Sequence, residues 1–229
     1  MLLDNKSQGK VGDVIGKALN DRSEMSVLTS LFSIYGFAKL NQELSKVQSL
    51  RLAIGKSTSG DASTSVSLTG TESDRQFRNG LNMARVARAC AAWLNKKAEV
   101  RDVATPVMQN LFHIKSGEDT TAIHGSSPFT SSGLGFTPSQ AHEMNTSIKN
   151  GAECESLLGW FDSIWNNIDT TKDIKAHLLK QLQQIYCDKS PELIYYKTQK
   201  RSGRIAQIIH RAIPYPLDVG FFVRVFRAI

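Results

Sequence analysis

The stretch Leu111–Gly133 reads LFHIKSGEDTTAIHGSSPFTSSG, and the fold turns on how it pairs. Residues 110–115 and 120–124 have the composition of strands and SGED that of a turn, so the pattern predicts a hairpin. Strand side chains repeat every two residues, which sets His113 and Lys115 on one face. Gly125 permits a tight exit from the second strand. The expectation is that backbone N–H groups and the Ser126 hydroxyl then converge with His113 and Lys115 at the same end of the sheet. An imidazole, an ammonium, a hydroxyl and backbone donors around one anion-sized space suit the chemistry of phosphate.

Working outward, residues 11–21 carry apolar side chains at Val11, Val14, Ile15 and Leu19, the spacing of a short amphipathic helix. Residues 24–34 read as a buried strand, Phe37, Leu40, Leu44 and Val47 return to helical spacing, and residues 50–54 read as a second buried strand. This α-β-α-β order predicts a layered α/β domain. Residues 55–74 hold ten Ser/Thr and form a long polar loop. GKST at its start is not a phosphate-cradling loop, because the glycine required five positions earlier is Leu50. Residues 73–100 form the longest helix candidate, with Ser73 or Asp74 as its cap, and a short strand EVRDV follows. Residues 142–148 alternate like a strand. CESLLGWFDSIWNNI and TKDIKAHLLKQLQQIYC have helical patterns, and SPELIYYKT begins a further helix at Ser190 and Pro191. Trp93, Trp160, Phe161 and Trp165 sit at helical spacings and are expected in the core.

The net charge of +7 is unevenly placed. Residues 197–229 carry seven Lys/Arg against Asp218, a net of +6, whereas the preceding 196 residues carry +1. Between residues 75 and 101, Arg75, Arg78, Arg85, Arg88, Lys96, Lys97 and Arg101 face only Glu99. Such a row either tracks a phosphate backbone or is a solvated helix face. The three cysteines, Cys90, Cys154 and Cys187, lack metal-ligand spacing and read as reduced thiols. With no apolar run of about 20 residues and no signal-peptide layout at the N-terminus, the expectation is a cytoplasmic protein without a membrane span.

The pattern of His113, Lys115, Gly125 and Ser126, followed by Glu143 in HEMN, resembles the His-x-Lys…Gly-Ser-x-Asn signature of the phospholipase D superfamily. GSSPFTSSGLG, FRNGLNMARVARACAAWLNKKAEVRD and LLGWFDSIWNN are most similar to nuclease-like domains at the N-terminus of bacterial defence and restriction helicases. The resemblance spans roughly residues 4–198. It implies an α/β fold, a mixed sheet sandwiched between helices, with 199–229 as a basic, helical C-terminal extension. It also implies a metal-independent phosphodiesterase, a DNA endonuclease of a defence or restriction system, using no cofactor and no metal.

By the same resemblance His113 is the catalytic histidine, Lys115 binds phosphate, Ser126 is the Gly-Ser serine, and Glu143 orients the histidine. Ser127, Arg78, Arg85 and Arg88 are expected to contact substrate, with DNA favoured over RNA. Pro128 stands where the family has asparagine and Thr120 where it has aspartate; the first removes a phosphate contact. The family's mechanism uses two histidines, one forming phosphohistidine and one transferring protons. One His-x-Lys per chain therefore implies a homodimer whose two His113 residues meet near the two-fold axis. A helicase or other defence-system subunit is a further expected partner. The reading from a different class is a catalytically weak nucleic-acid-binding or regulatory module that has kept the fold.

Overall fold

Eight strands, ordered β1-β7-β6-β5-β2-β3-β4-β8, form one mixed sheet in the computed structural model. The structure describes residues 1–56, 68 and 80–187. The strands are β1 (Leu2–Leu3), β2 (Ser23–Thr29), β3 (Ser49–Lys56), β4 (Ala98–Pro106), β5 (Asn110–Ser116), β6 (Asp119–Gly125), β7 (Asn145–Lys149) and β8 (Thr171–Asp173). The helices are α1 (Val11–Ala18), α2 (Ile34–Lys39), α3 (Asn41–Leu44), α4 (Gly80–Lys97), α5 (Ala152–Trp165) and α6 (Lys175–Cys187). β2, β3 and β4 run parallel; every other pairing is antiparallel. Helix-linked strands can be parallel because a crossover returns the chain to the same edge, whereas the hairpin β5–β6 must be antiparallel. Gly117, at φ +69° in the two-residue turn between Ser116 and Asp119, supplies the left-handed conformation such a turn needs.

The period of two divides the sheet into two faces with different cores. Met25, Val27, Leu50, Leu52, Ile54, Phe112, Ile114 and Ile123 join side chains of α1, α2, α3, α4 and α6 in the larger cluster. Leu28, Ala53, Val103 and Leu111 point the other way and pack with Phe161 and Trp165 of α5 in a smaller one. α5 thus covers one face by itself among the described helices. The expected mixed α/β architecture holds at this level: a mixed sheet between two helical layers.

Several elements differ from their expected bounds. The strand expected over 24–34 ends at Thr29, because the Ser33 hydroxyl accepts the Tyr35 N–H (3.1 Å) and starts α2. The single helix expected through Phe37, Leu40, Leu44 and Val47 is split at Leu40, yet all four side chains are buried. β4 is nine residues long rather than short, and β1 and β8 are too short to leave any periodicity. The 142–148 strand begins at Asn145. Trp93, Phe161 and Trp165 are in the core as expected, whereas Trp160 is 43 % exposed. The cap expected at Ser73 or Asp74, the helix at Ser190, the 198/199 boundary and the basic extension lie outside the described residues, as do Arg75 and Arg78.

Phe112 is buried near the sheet centre, with its ring 6.0 Å from that of Phe129. Phe112→Ala removes a ring that nothing nearby replaces. Denaturant unfolding is expected to show a loss of about 3–5 kcal/mol.

Candidate functional site

In the β5–β6 ladder His113 lies opposite Ala122, Lys115 opposite Thr120, and Asn110 opposite Gly125. His113 is therefore three residues, about 10 Å, along the strand from the level of Gly125, and Lys115 about 17 Å. Lys115 is exposed beside the hairpin turn, at the end of the sheet opposite to the Gly125 exit. The convergence expected from sequence does not occur, because the short turn at 117–118 fixes the register. The position level with Gly125 is Asn110, and Met108, two residues before it, is 72 % exposed.

His113 is 2 % exposed. It shares the α5 face with Leu111, and Ser26 and Arg51 lie beside it in adjoining strands. Its Nε2 is buried without a hydrogen-bond partner. Burial pushes the imidazole pKa below its ordinary 6.5, the Arg51 and Lys115 charges add to that, and Asp162 opposes it. The cover is well anchored. Arg51 donates to Asp162 Oδ1 (2.7 Å) on α5 and to Ser26 Oγ (3.2 and 2.9 Å), with its guanidinium 4.9 Å from the Phe161 ring centroid. Arg101 lies 4.5 Å from the Trp165 ring centroid and donates to the Trp165 carbonyl, where a cation also complements the helix C-terminus. An imidazole that cannot meet solvent is not placed to attack an external phosphodiester.

The other expected residues gather elsewhere. Gly125 leaves β6 at φ +155°, where an added Cβ would stand 2.4 Å from the Met144 carbonyl oxygen. Asn145, opposite Gly125 on β7, accepts the Ser127 N–H (3.0 Å) and donates to Ser127 Oγ (2.8 Å). Ser127 Oγ accepts a second bond from Asn5 Nδ2 (3.1 Å) and donates to Glu143 Oε2 (3.0 Å). Asn5 also donates to Glu143 Oε2 and to the Gly133 carbonyl (2.8 Å), and accepts the Val11 N–H (2.9 Å).

Glu143 is thus held by Asn5 and Ser127. Asn145 belongs by register to the larger-core face, opposite the face of His113. Glu143 does not orient the histidine in this structure. Ser127 is fully buried with its hydroxyl committed to three partners, which leaves it no capacity for substrate. Ser126 is exposed; its Oγ accepts the Met144 N–H (3.0 Å) and donates to the Met144 carbonyl (3.5 Å).

Arg85 and Arg88 are exposed on α4, whose buried residues join the larger core, so they too lie across the sheet from His113. Arg88 stacks 5.3 Å from the Tyr186 ring centroid, and Arg85 reaches Asn82 Oδ1 (3.3 Å). Lys97 is bonded to the Ser45 and Val47 carbonyls. The helix row is therefore partly structural. Sequence reasoning missed Asn5, whose φ of +58° marks a tight turn that no local pattern reveals, and the Arg51–Asp162 pair, 111 residues apart. No protein-family model matches the chain, and no curated protein does.

Two outcomes follow from this geometry. The folded chain keeps His113 neutral below the pH at which an unfolded histidine protonates, so the unfolded state binds more protons there. Stability is expected to be fully present above pH 6.5 and to fall as pH drops below it; His113→Leu should flatten this part of a denaturation series. Ser127→Ala strands the Asn145, Asn5 and Glu143 groups and should cost about 1–3 kcal/mol, against well under 1 kcal/mol for exposed Ser126→Ala.

Proposed function

We propose that this chain is a nucleic-acid-binding or regulatory module with a phospholipase-D-like fold, rather than a working phosphodiesterase. The observation that carries the reading is the placement of His113, 2 % exposed beneath α5 and about 10 Å from the level of Gly125. Phosphohistidine chemistry needs an imidazole in contact with phosphorus and a second to move the proton. Neither condition is met while α5 lies over the ring. Two His113 residues could not meet across a dimer axis without displacing that helix, so the homodimer argued from catalysis loses its motive.

Support for a nucleic-acid ligand comes from the net charge of +7 and from exposed cations that the fold leaves uncommitted. Among the described residues the ion pair is Arg51–Asp162, so exposed cations such as Lys115 and Arg85 have no described carboxylate at salt-bridge distance. DNA is the expected ligand, and a larger defence-system assembly, such as one with a helicase subunit, is the context that the family resemblance suggests. No described helix is long and apolar enough to cross a membrane.

The test is plasmid DNA incubated with the full chain, in excess EDTA and separately in Mg²⁺, beside a gel-shift titration at several salt concentrations. Expected are salt-dependent binding and no cleavage under either condition. Cleavage that survives EDTA and disappears in His113→Ala would restore the nuclease reading, and would require α5 to open.

A further inference from the structure

Two packed helices over the β4 end of the sheet carry cations and no carboxylate. α4 holds Arg85, Arg88, Lys96 and Lys97, α6 holds Lys175 and Lys180, and neither helix contains an Asp or Glu. The first described carboxylates beyond them in sequence are turned away or already used. Glu99 follows α4 but lies by register on the α5 face, with Arg101 and Val103. Asp173 precedes α6, and its Oδ1 accepts the Lys175 N–H (2.8 Å).

The cations are gathered on one surface. Arg85, Arg88, Ala89, Ala92, Asn95 and Lys96 are exposed and recur at three- and four-residue steps, so they form one outer stripe along α4. The opposite side of that helix, with Val86, Ala87, Cys90 and Leu94, is in the larger core. Arg88 lies over Tyr186 near the end of α6, and Lys175 at its start donates to the Asn95 carbonyl (3.0 Å). Those contacts make the helices antiparallel neighbours and set the exposed face of α6, which includes Lys180, alongside the stripe. Arg85, Lys96 and Lys180 have no described carboxylate at salt-bridge distance. Ala89 and Ala92 keep the crest low between the arginines and Lys96, so nothing bulky holds a rigid polyanion away.

We infer that the joint outer surface of α4 and α6 docks the phosphate backbone of a nucleic-acid duplex, with Arg85, Arg88, Lys96 and Lys180 against phosphates. The inference rests on the nucleic-acid reading above and assigns it a surface, across the sheet from His113. At 1.5 Å per helical residue the stripe from Arg85 to Lys96 is about 16 Å long, which matches about five phosphates of one strand at 3.4 Å each. Among its described residues the surface exposes no aromatic side chain: Trp93 is buried, and Tyr186 is half-buried with Arg88 over its ring. Single strands are held by stacking on accessible rings. A duplex, met through its backbone, is the better match, and such contacts carry no base specificity.

The experiment measures binding of a short DNA duplex, an oligothymidylate of the same length and polyglutamate at several salt concentrations. The full chain is compared with Arg85→Ala/Lys96→Ala/Lys180→Ala and with Lys6→Ala/Lys17→Ala/Lys149→Ala, which removes the same charge from exposed positions elsewhere. Melting temperatures check the fold. In the first triple variant the duplex should lose at least tenfold in affinity, and the slope of log affinity against log salt should fall by about 2–3. The second triple variant should lose little of either. The charge-conserving Arg85→Lys/Lys96→Arg/Lys180→Arg should bind as the unaltered chain does. If the first triple variant melts lower, Lys96→Gln/Lys180→Gln takes its place, with a slope change of about 1–2. Equal losses in both triple variants would overturn the surface and leave nucleic-acid binding standing. Oligothymidylate bound more tightly than the duplex would overturn the duplex assignment. Polyglutamate bound as tightly as DNA would overturn the nucleic-acid occupant in favour of an acidic protein, and no binding of either DNA would overturn both proposals.

Discussion

Two buried asparagines flank the exit of β6, and the rest of the candidate site depends on how they hold it. Asn110 accepts the Ser30 N–H (2.9 Å) at the end of β2 and donates to the Ser126 carbonyl (3.0 Å). Asn145 accepts the Ser127 N–H and donates to the Ser127 hydroxyl from the other side. Gly125, between them, has no room for a side chain. Buried amides of this kind are stabilising only when every donor and acceptor is used. Here each finds partners on a different segment, which pins the end of β2, the 126–134 turn and the start of β7 to one another. Ser127, Glu143 and Asn5 inherit their positions from that arrangement.

The opposite face follows a different logic. There the charges of Arg51 and Arg101 lie at the edge of an aromatic and aliphatic layer, stacked against Phe161 and Trp165 and bonded to α5. A half-exposed ion pair contributes modestly by itself. Joined with cation–π contact and a helix-end carbonyl, it ties the helix down. His113 sits beneath as a neutral ring whose Nε2 is unpaired, a feature that costs stability. The imidazole is tolerated as a core residue, and its neighbours disfavour the protonated form that general-acid chemistry would need.

The two faces divide the motif residues between them: His113 and Lys115 lie on one, the Gly125 exit and Asn145 on the other. Gly125, Ser126, Ser127 and Glu143 belong to the polar frame that Asn110 and Asn145 hold. The hydrogen bonds that hold this frame run among amides, hydroxyls and one carboxylate, and none of them involves His113. Pro128 fits this view: its carbonyl accepts the Thr130 N–H (2.8 Å) in the turn that leads to Gly133, a structural duty.

The sequence by itself determined the mixed α/β class, the hairpin, α1, α5, the described part of α4, α6 apart from Thr171–Asp173, which form β8, and the burial of Phe161 and Trp165. Each of these is written in local periodicity, which acts within a few positions. It also placed His113 and Lys115 on one face of β5, since a period of two requires that. What tertiary structure decided was which face, and what lay over it. Whether a strand residue meets solvent depends on a helix 40 residues later, and nothing in the spacing of His113, Lys115 and Ser126 encodes α5. The separation of His113 from Ser126 was set by the turn's two-residue length, which assigns partners by counting backward from 117–118. Asn5, Asn145 and Arg51 find partners more than 15 residues away, so their roles exist only in the folded chain.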